Sequence, residues 1–116
     1  GVTAAFNRNV LRRLARELGA AFPVDRFAHY AFYEPTAGRV EMHLVSLDAR
    51  TVDVAGVPVR FERGESIWTE SSYKYTRAGL AALAAAGGFA VERVWTDPAE
   101  AFAVAYLTVA ADPGLR

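Results

Sequence analysis

The sequence predicts an α+β fold, and three observations predict it. Near the start, apolar residues recur at helical spacing. From Phe27 to about Phe61 they alternate with the period of strands. After Thr76 an alanine-rich helical run is followed by two more strand-like stretches. The order is therefore helix, four strands, a polar strand, helix, two strands.

Thr3 is expected to cap the first helix, whose apolar positions are Phe6, Val10, Leu11, Leu14 and Leu18. Arg8, Arg12, Arg13, Arg16 and Glu17 take much of its remaining surface. They read as a solvated face rather than a nucleic-acid stripe, because the chain as a whole is neutral. Gly19 stops the helix, and Pro23 confirms the break. Phe27 to Tyr33 reads as an aromatic-rich strand. Glu34-Pro35-Thr36-Ala37-Gly38 is a turn, and Arg39 to Leu47 is the return strand of a hairpin. On that strand Val40, Met42 and Leu44 share one face, and Arg39, Glu41 and His43 the other.

Thr51 to Val54 and Val57 to Phe61 form a tighter hairpin around Ala55-Gly56, with Pro58 pointing to an edge strand. Thr76 caps a second helix that runs to about Ala86, with Leu80 and Leu83 as anchors and Gly87-Gly88 as its end. Phe89 to Trp95 and Phe102 to Val109 are two more strands joined through Asp97-Pro98. Both faces of the last strand are apolar, which predicts burial between layers. The tail from Asp112 is expected to fray.

The chain has 116 residues, 53% of them hydrophobic and 22% charged, enough for a real core. Thirteen basic residues balance thirteen acidic ones, which argues against a nucleic-acid partner. There is no cysteine, hence no disulfide framework or thiolate chemistry, and two histidines without cysteines do not suggest structural zinc. No apolar run approaches the roughly 20 residues of a membrane span, and the N-terminus lacks a secretion signal, so a cytoplasmic location is expected. The only methionine is Met42, and the helical pattern begins almost at Gly1. The chain reads as a piece of a longer protein.

No dinucleotide, Walker or nucleophile-elbow motif occurs. His29 and His43 fall on different strands and read as satisfied structural histidines. Met42, taken alone, reads as core filler. The stretch Gly64 to Tyr75 carries the densest chemistry. If extended, it places Ile67, Thr69, Ser71 and Tyr73 on one face and Trp68, Glu70, Ser72 and Lys74 on the other. Glu70 and Ser72 are then spaced to grip one small polar group. An edge strand with a solvated polar face fits the same spacing.

Four segments occur in an order that resembles a known family. They are Thr3-Ala4-Ala5-Phe6-Asn7-Arg8-Asn9-Val10-Leu11, Phe27-Ala28-His29-Tyr30-Ala31, Val40-Glu41-Met42-His43-Leu44, and Gly64-Glu65 followed by Thr69-Glu70-Ser71-Ser72-Tyr73-Lys74-Tyr75. Together they resemble the C-terminal third of the histidine Nα-methyltransferases of ergothioneine biosynthesis. These enzymes trimethylate the α-amine of L-histidine to hercynine with S-adenosylmethionine (SAM). The resemblance implies that residues 1–63 are a segment of the substrate-binding domain. Residues 64–116 would be the closing helix and antiparallel strands of a class I methyltransferase sheet. It also implies roles. Glu70 matches the carboxylate that holds the substrate imidazole, Ser72 the hydroxyl beside it, and Met42 the residue lining the pocket. The groups that hold the amino and carboxylate ends match nothing in this chain, and SAM would be bound mainly by residues upstream.

A site that pairs both imidazole nitrogens rejects side chains that leave it unpaired. Methyl transfer asks the enzyme mainly to hold a neutral amine in line with the sulfonium carbon, so neither metal nor covalent nucleophile is needed. Two other readings stand beside this one: an Nα-methyltransferase for another aromatic amino acid, and a non-catalytic ligand-binding or assembly module. The expected partner is L-histidine, with no nucleic acid and no membrane. A sheet edge left open could also drive self-association.

Overall fold

The computed structural model describes residues 1–111. Helix α1 (Val2–Leu18) is followed by a 3-10 turn (Val24–Arg26) and strands β1 (Phe27–Glu34), β2 (Arg39–Ser46), β3 (Arg50–Val54), β4 (Val57–Phe61) and β5 (Ser66–Tyr73). Helix α2 (Arg77–Ala86) then leads to β6 (Phe89–Thr96) and β7 (Ala103–Val109). The mixture is α+β, with small antiparallel sheets ordered β1-β2-β5, β3-β4 and β6-β7. The expected fraying from Asp112 lies outside the described residues.

The chain divides into two compact units, Gly1–Lys74 and the residues from Tyr75 on. β5 spends its backbone hydrogen bonds on β2 and so belongs to the first of these units.

In the first unit, α1 begins two residues earlier than expected. Gly1 occupies the N-cap without a side-chain cap, and Thr3 lies inside the helix. Gly19 ends it in the left-handed region at φ 66°, its N–H bonded to the Leu14 carbonyl. The buried seam of α1 also differs from the expected apolar stripe. Asn7 and Leu11 are buried, whereas Phe6, Val10 and Leu18 are exposed, Phe6 to 64%. Leu11 joins Phe27, Leu44, Val52 and Phe61 in the core, with Leu14 packed against it. Phe27 meets Phe22 edge-on at 5.8 Å and Phe61 at 5.3 Å, a favourable arrangement for ring quadrupoles.

Both expected hairpins form. At the β1–β2 turn the Glu34 carboxylate accepts the N–H groups of Thr36 and Ala37. At the β3–β4 turn Ala55 (φ 51°) and Gly56 (φ 85°) both take positive φ, the signature of a two-residue turn that matches strand twist. Pro58 is tolerated because a two-stranded sheet consists of edges.

β5 is an edge strand, but it does not alternate simply. Glu70 pairs with Met42 and Trp68 with His43, so the register shifts at Thr69. This bulge overturns the expected division of faces. Ile67, Glu70 and Ser72 lie on the side of Leu44, Met42 and Val40, while Trp68, Ser71 and Tyr73 lie on the side of His43, Glu41 and Arg39.

In the second unit, Thr76 caps α2 as expected, its hydroxyl accepting the Gly79 N–H at 3.0 Å. The buried position of that helix is Ala84, whereas Leu83 is 52% exposed, so Leu83 is not an anchor. β6 and β7 pair antiparallel, joined by a loop in which the Asp97 carboxylate accepts the Phe102 N–H at 2.9 Å. The expected burial of the last strand is not met among the described residues. Val104, Tyr106 and Val109 are exposed, because α2 offers mostly methyl groups and packs chiefly against β6.

Candidate functional site

The bulge decides which side chains meet. Met42, 7% exposed in the middle of β2, stands directly across from Glu70, and the next pair on that face is Val40 with Ser72. Over Met42 and Glu70 opens a cavity of about 200 Å3. Its other walls are Phe6, Asn7, Asn9, Val10 and Arg13 of α1, with Thr69 on β5. The structure therefore brings Met42 and Glu70 into one cavity. Ser72 lies on the same face further along the strand and is not part of that lining; its oxygen accepts from Lys74 Nζ at 2.9 Å. Arg13 is turned along the helix to Glu17 at 3.1 Å, which leaves Glu70 without its guanidinium as a bonded partner.

Sequence reasoning missed the helical wall. Phe6 and Val10, one turn apart, have the spacing of a shared helix face, and that signal was in the sequence. It reads as core in sequence because hydropathy does not distinguish a core face from a cavity wall.

Behind the cavity lies a polar node. Asn7, 2% exposed, donates from Nδ2 to the His43 carbonyl at 3.0 Å and to His29 Nδ1 at 2.9 Å. Its Oδ1 faces the Thr69 hydroxyl at 2.6 Å, and that hydroxyl also lies 3.0 Å from the Met42 carbonyl. An amide NH2 only donates, so Nδ1 of His29 is the acceptor in this contact. No buried side-chain polar atom among the described residues is left without a partner.

The opposite face of the sheet carries a separate network. Glu41, 6% exposed, holds His43 Nε2 at 2.9 Å and Arg39 at 2.7 Å. The hydrogen bond from His43 and, next, that from Arg39 keep the Glu41 carboxyl below its ordinary pKa, against the opposing effect of burial. His43 Nδ1 meets Ser66 Oγ at 3.1 Å, and its ring is stacked between Phe32 and Trp68 at 5.6 and 5.7 Å. A serine, a histidine and a carboxylate thus stand in line. The imidazole is held at both nitrogens and on both faces, which is the arrangement of a structural histidine. His29 is bound at Nδ1 by Asn7.

A second hollow, of about 420 Å3, is lined by Arg8, Arg12, Val24 and Asp25 and includes none of Met42, Glu70 and Ser72. Among the described residues no group of His, Asp or Glu is placed to hold a metal ion, and no helix is long and apolar enough to cross a membrane.

A cavity of about 200 Å3 suits a ligand smaller than those that fill typical pockets of about 300–1,000 Å3. The chain is a member of the SAM-dependent, histidine-specific methyltransferase family, whose model matches residues 1–109. It is 43% identical over 104 residues to the histidine N-alpha-methyltransferase of Mycolicibacterium smegmatis, covering 88% of this chain and 32% of that protein. To the histidine N-alpha-methyltransferase of Mycobacterium tuberculosis it is 42% identical over the same length and coverage. An N-methyltransferase of Aspergillus terreus is 37% identical over 98 residues, 82% of this chain and 27% of that one. The chain spans about a third of the length of the first two relatives.

Proposed function

We propose that this chain is the C-terminal part of a SAM-dependent histidine Nα-methyltransferase that makes hercynine, and that Met42, Glu70 and Ser72 hold the substrate imidazole. In this reading residues up to about 63 belong to the substrate-binding domain. Residues from about 64 onward belong to the closing part of the methyltransferase domain, although β5 is hydrogen-bonded into the first unit. The observation that carries the reading is the direct pairing of Met42 with Glu70 on the wall of one small cavity.

A neutral imidazole has one N–H and one lone pair in its ring plane. Glu70, as a carboxylate, accepts the N–H. Ser72 accepts from Lys74 and keeps its own O–H proton to donate to the other nitrogen. Met42 supplies an apolar, polarizable surface beside the ring. Holding the ring at both nitrogens fixes the side chain and so limits where the α-amine is placed.

SAM supplies the methyl group when bound. The described residues do not form a glycine-rich strand–turn–helix for it. Glycines with positive φ stand beyond the ends of α1 and α2 (Gly19, Gly88), or in turns and loops between strands (Gly38, Gly56, Gly64). The cofactor is assigned to other residues of the full-length enzyme.

The test is Glu70→Ala and Glu70→Gln in the full-length enzyme. A charge-assisted hydrogen bond is worth about 1.5–3 kcal/mol. Glu70→Ala should therefore weaken histidine roughly 10- to 150-fold. Glu70→Gln, which retains an acceptor oxygen, should do less harm. SAM affinity should be unchanged in both. Undiminished histidine affinity in Glu70→Ala would remove the clamp and favour another aromatic amine or a non-catalytic module.

A further inference from the structure

We propose that Asn7 and Thr69 are positioning residues that lock the β5 bulge and thereby aim Glu70 into the cavity. This rests on the reading of Glu70 as the imidazole clamp.

The argument begins with register. Trp68 pairs with His43 and Glu70 with Met42, so Thr69 is the extra residue. If β5 ran straight on from the Trp68–His43 pair, Thr69 would stand across from Met42 and Glu70 across from Glu41. A slip of one residue moves a side chain to the other face of a sheet. Glu70 would then leave the cavity and meet the buried Glu41, a like charge. The bulge is thus the feature that separates a clamp from a strand residue on the wrong side.

Side chains, rather than backbone pairing alone, hold this bulge. The Thr69 hydroxyl lies 2.6 Å from Asn7 Oδ1 and 3.0 Å from the Met42 carbonyl, on the partner strand at the shift. Asn7 Nδ2 takes the carbonyl of His43, the next residue of β2, at 3.0 Å. The His43 carbonyl thus accepts an Asn7 N–H, while the single Thr69 hydroxyl proton lies between Asn7 Oδ1, the nearer acceptor, and the Met42 carbonyl. Asn7 is itself fixed by His29 and is nearly sealed from solvent. One buried amide ties α1, β1, β2 and β5 at the point where Glu70 is turned. Asn7 and Thr69 also line the cavity, so their displacement would be felt there first.

The experiment uses the full-length enzyme with Thr69→Val, Thr69→Ser, Glu70→Ala and the double variant Thr69→Val/Glu70→Ala. Histidine and SAM affinities are measured by calorimetry. Thr69→Val keeps the shape and removes the donor. It should raise the histidine Kd roughly 2- to 12-fold, the equivalent of one net hydrogen bond. Thr69→Ser should restore most of the affinity, and SAM affinity should not move. In the Glu70→Ala background Thr69→Val should add nothing, because its effect passes through Glu70. Loss of SAM affinity in Thr69→Val would mark a general structural role and overturn the inference. So would an undiminished Thr69→Val penalty in the double variant. Thr69→Val without effect, where Glu70→Ala weakens histidine, overturns this inference alone. Glu70→Ala without effect overturns the clamp reading, and this inference with it.

Discussion

Asp48 shows how a single charged residue is held at a corner of the first unit. The Arg50 guanidinium, and after it that of Arg26, bond its carboxylate and lower its pKa from 3.8 to about 2. Its carbonyl accepts the Ser46 hydroxyl at 2.7 Å. A carboxyl whose pKa is lower in the folded state binds protons more readily when unfolded. Its stabilising effect is therefore complete above its ordinary value of 3.8 and is lost as pH falls through about 2. Asp48→Asn should destabilise the chain at neutral pH and flatten its acid sensitivity in that window. Melting profiles of the two proteins recorded across this range would show it. Parallel profiles for wild type and variant would remove Asp48 as a source of acid sensitivity. Glu70 contrasts with Asp48: it lines a cavity rather than sitting between two guanidiniums.

At the scale of elements, helix ends and turns follow from chemistry within a few residues. Thr76 caps α2 by accepting the Gly79 N–H. This helix is short, from Arg77 to Ala86, and its Leu83 is exposed and contributes little burial. Its start should therefore depend on the cap. Thr76→Ala should cost about 1 kcal/mol of local stability, and Thr76→Ser should recover most of it. Hydrogen exchange of the first-turn amides measures this, and unchanged protection in Thr76→Ala would show that the cap is dispensable. β5 behaves differently. Its turns and composition say strand, yet its useful geometry comes from the one residue, Thr69, that departs from strand alternation.

At the scale of the whole molecule, the first unit has a sealed core built from α1 and four of its strands, and the second leaves most of its aromatic and aliphatic surface open. The positive-φ glycines serve helix ends and turns, and none opens a helix after a strand. The chain by itself is therefore expected to bind SAM negligibly and to show no turnover. Titration calorimetry of the purified chain checks this, and tight stoichiometric binding would place at least part of the cofactor site on these residues.

The sequence by itself determined the features whose causes are local. The Ala55-Gly56 turn, the stop at Gly19, the Thr76 cap and the hairpin pairings were all legible, since each depends on neighbours or on a turn that sets the register. The grouping of Met42, Glu70 and Ser72 came from the resemblance, with strand spacing placing Glu70 beside Ser72. Only the tertiary structure decided that Asn7 rather than Phe6 faces the sheet. Burying an amide is favourable only where partners await it, and these come from His29, His43 and Thr69, the last being 62 residues away. Only it decided that Trp68 and Glu70 lie on opposite faces, because a bulge is written in hydrogen bonds across strands and not in the period of one strand. The cavity has the same origin: its walls are a helix and two strands that no local rule brings together.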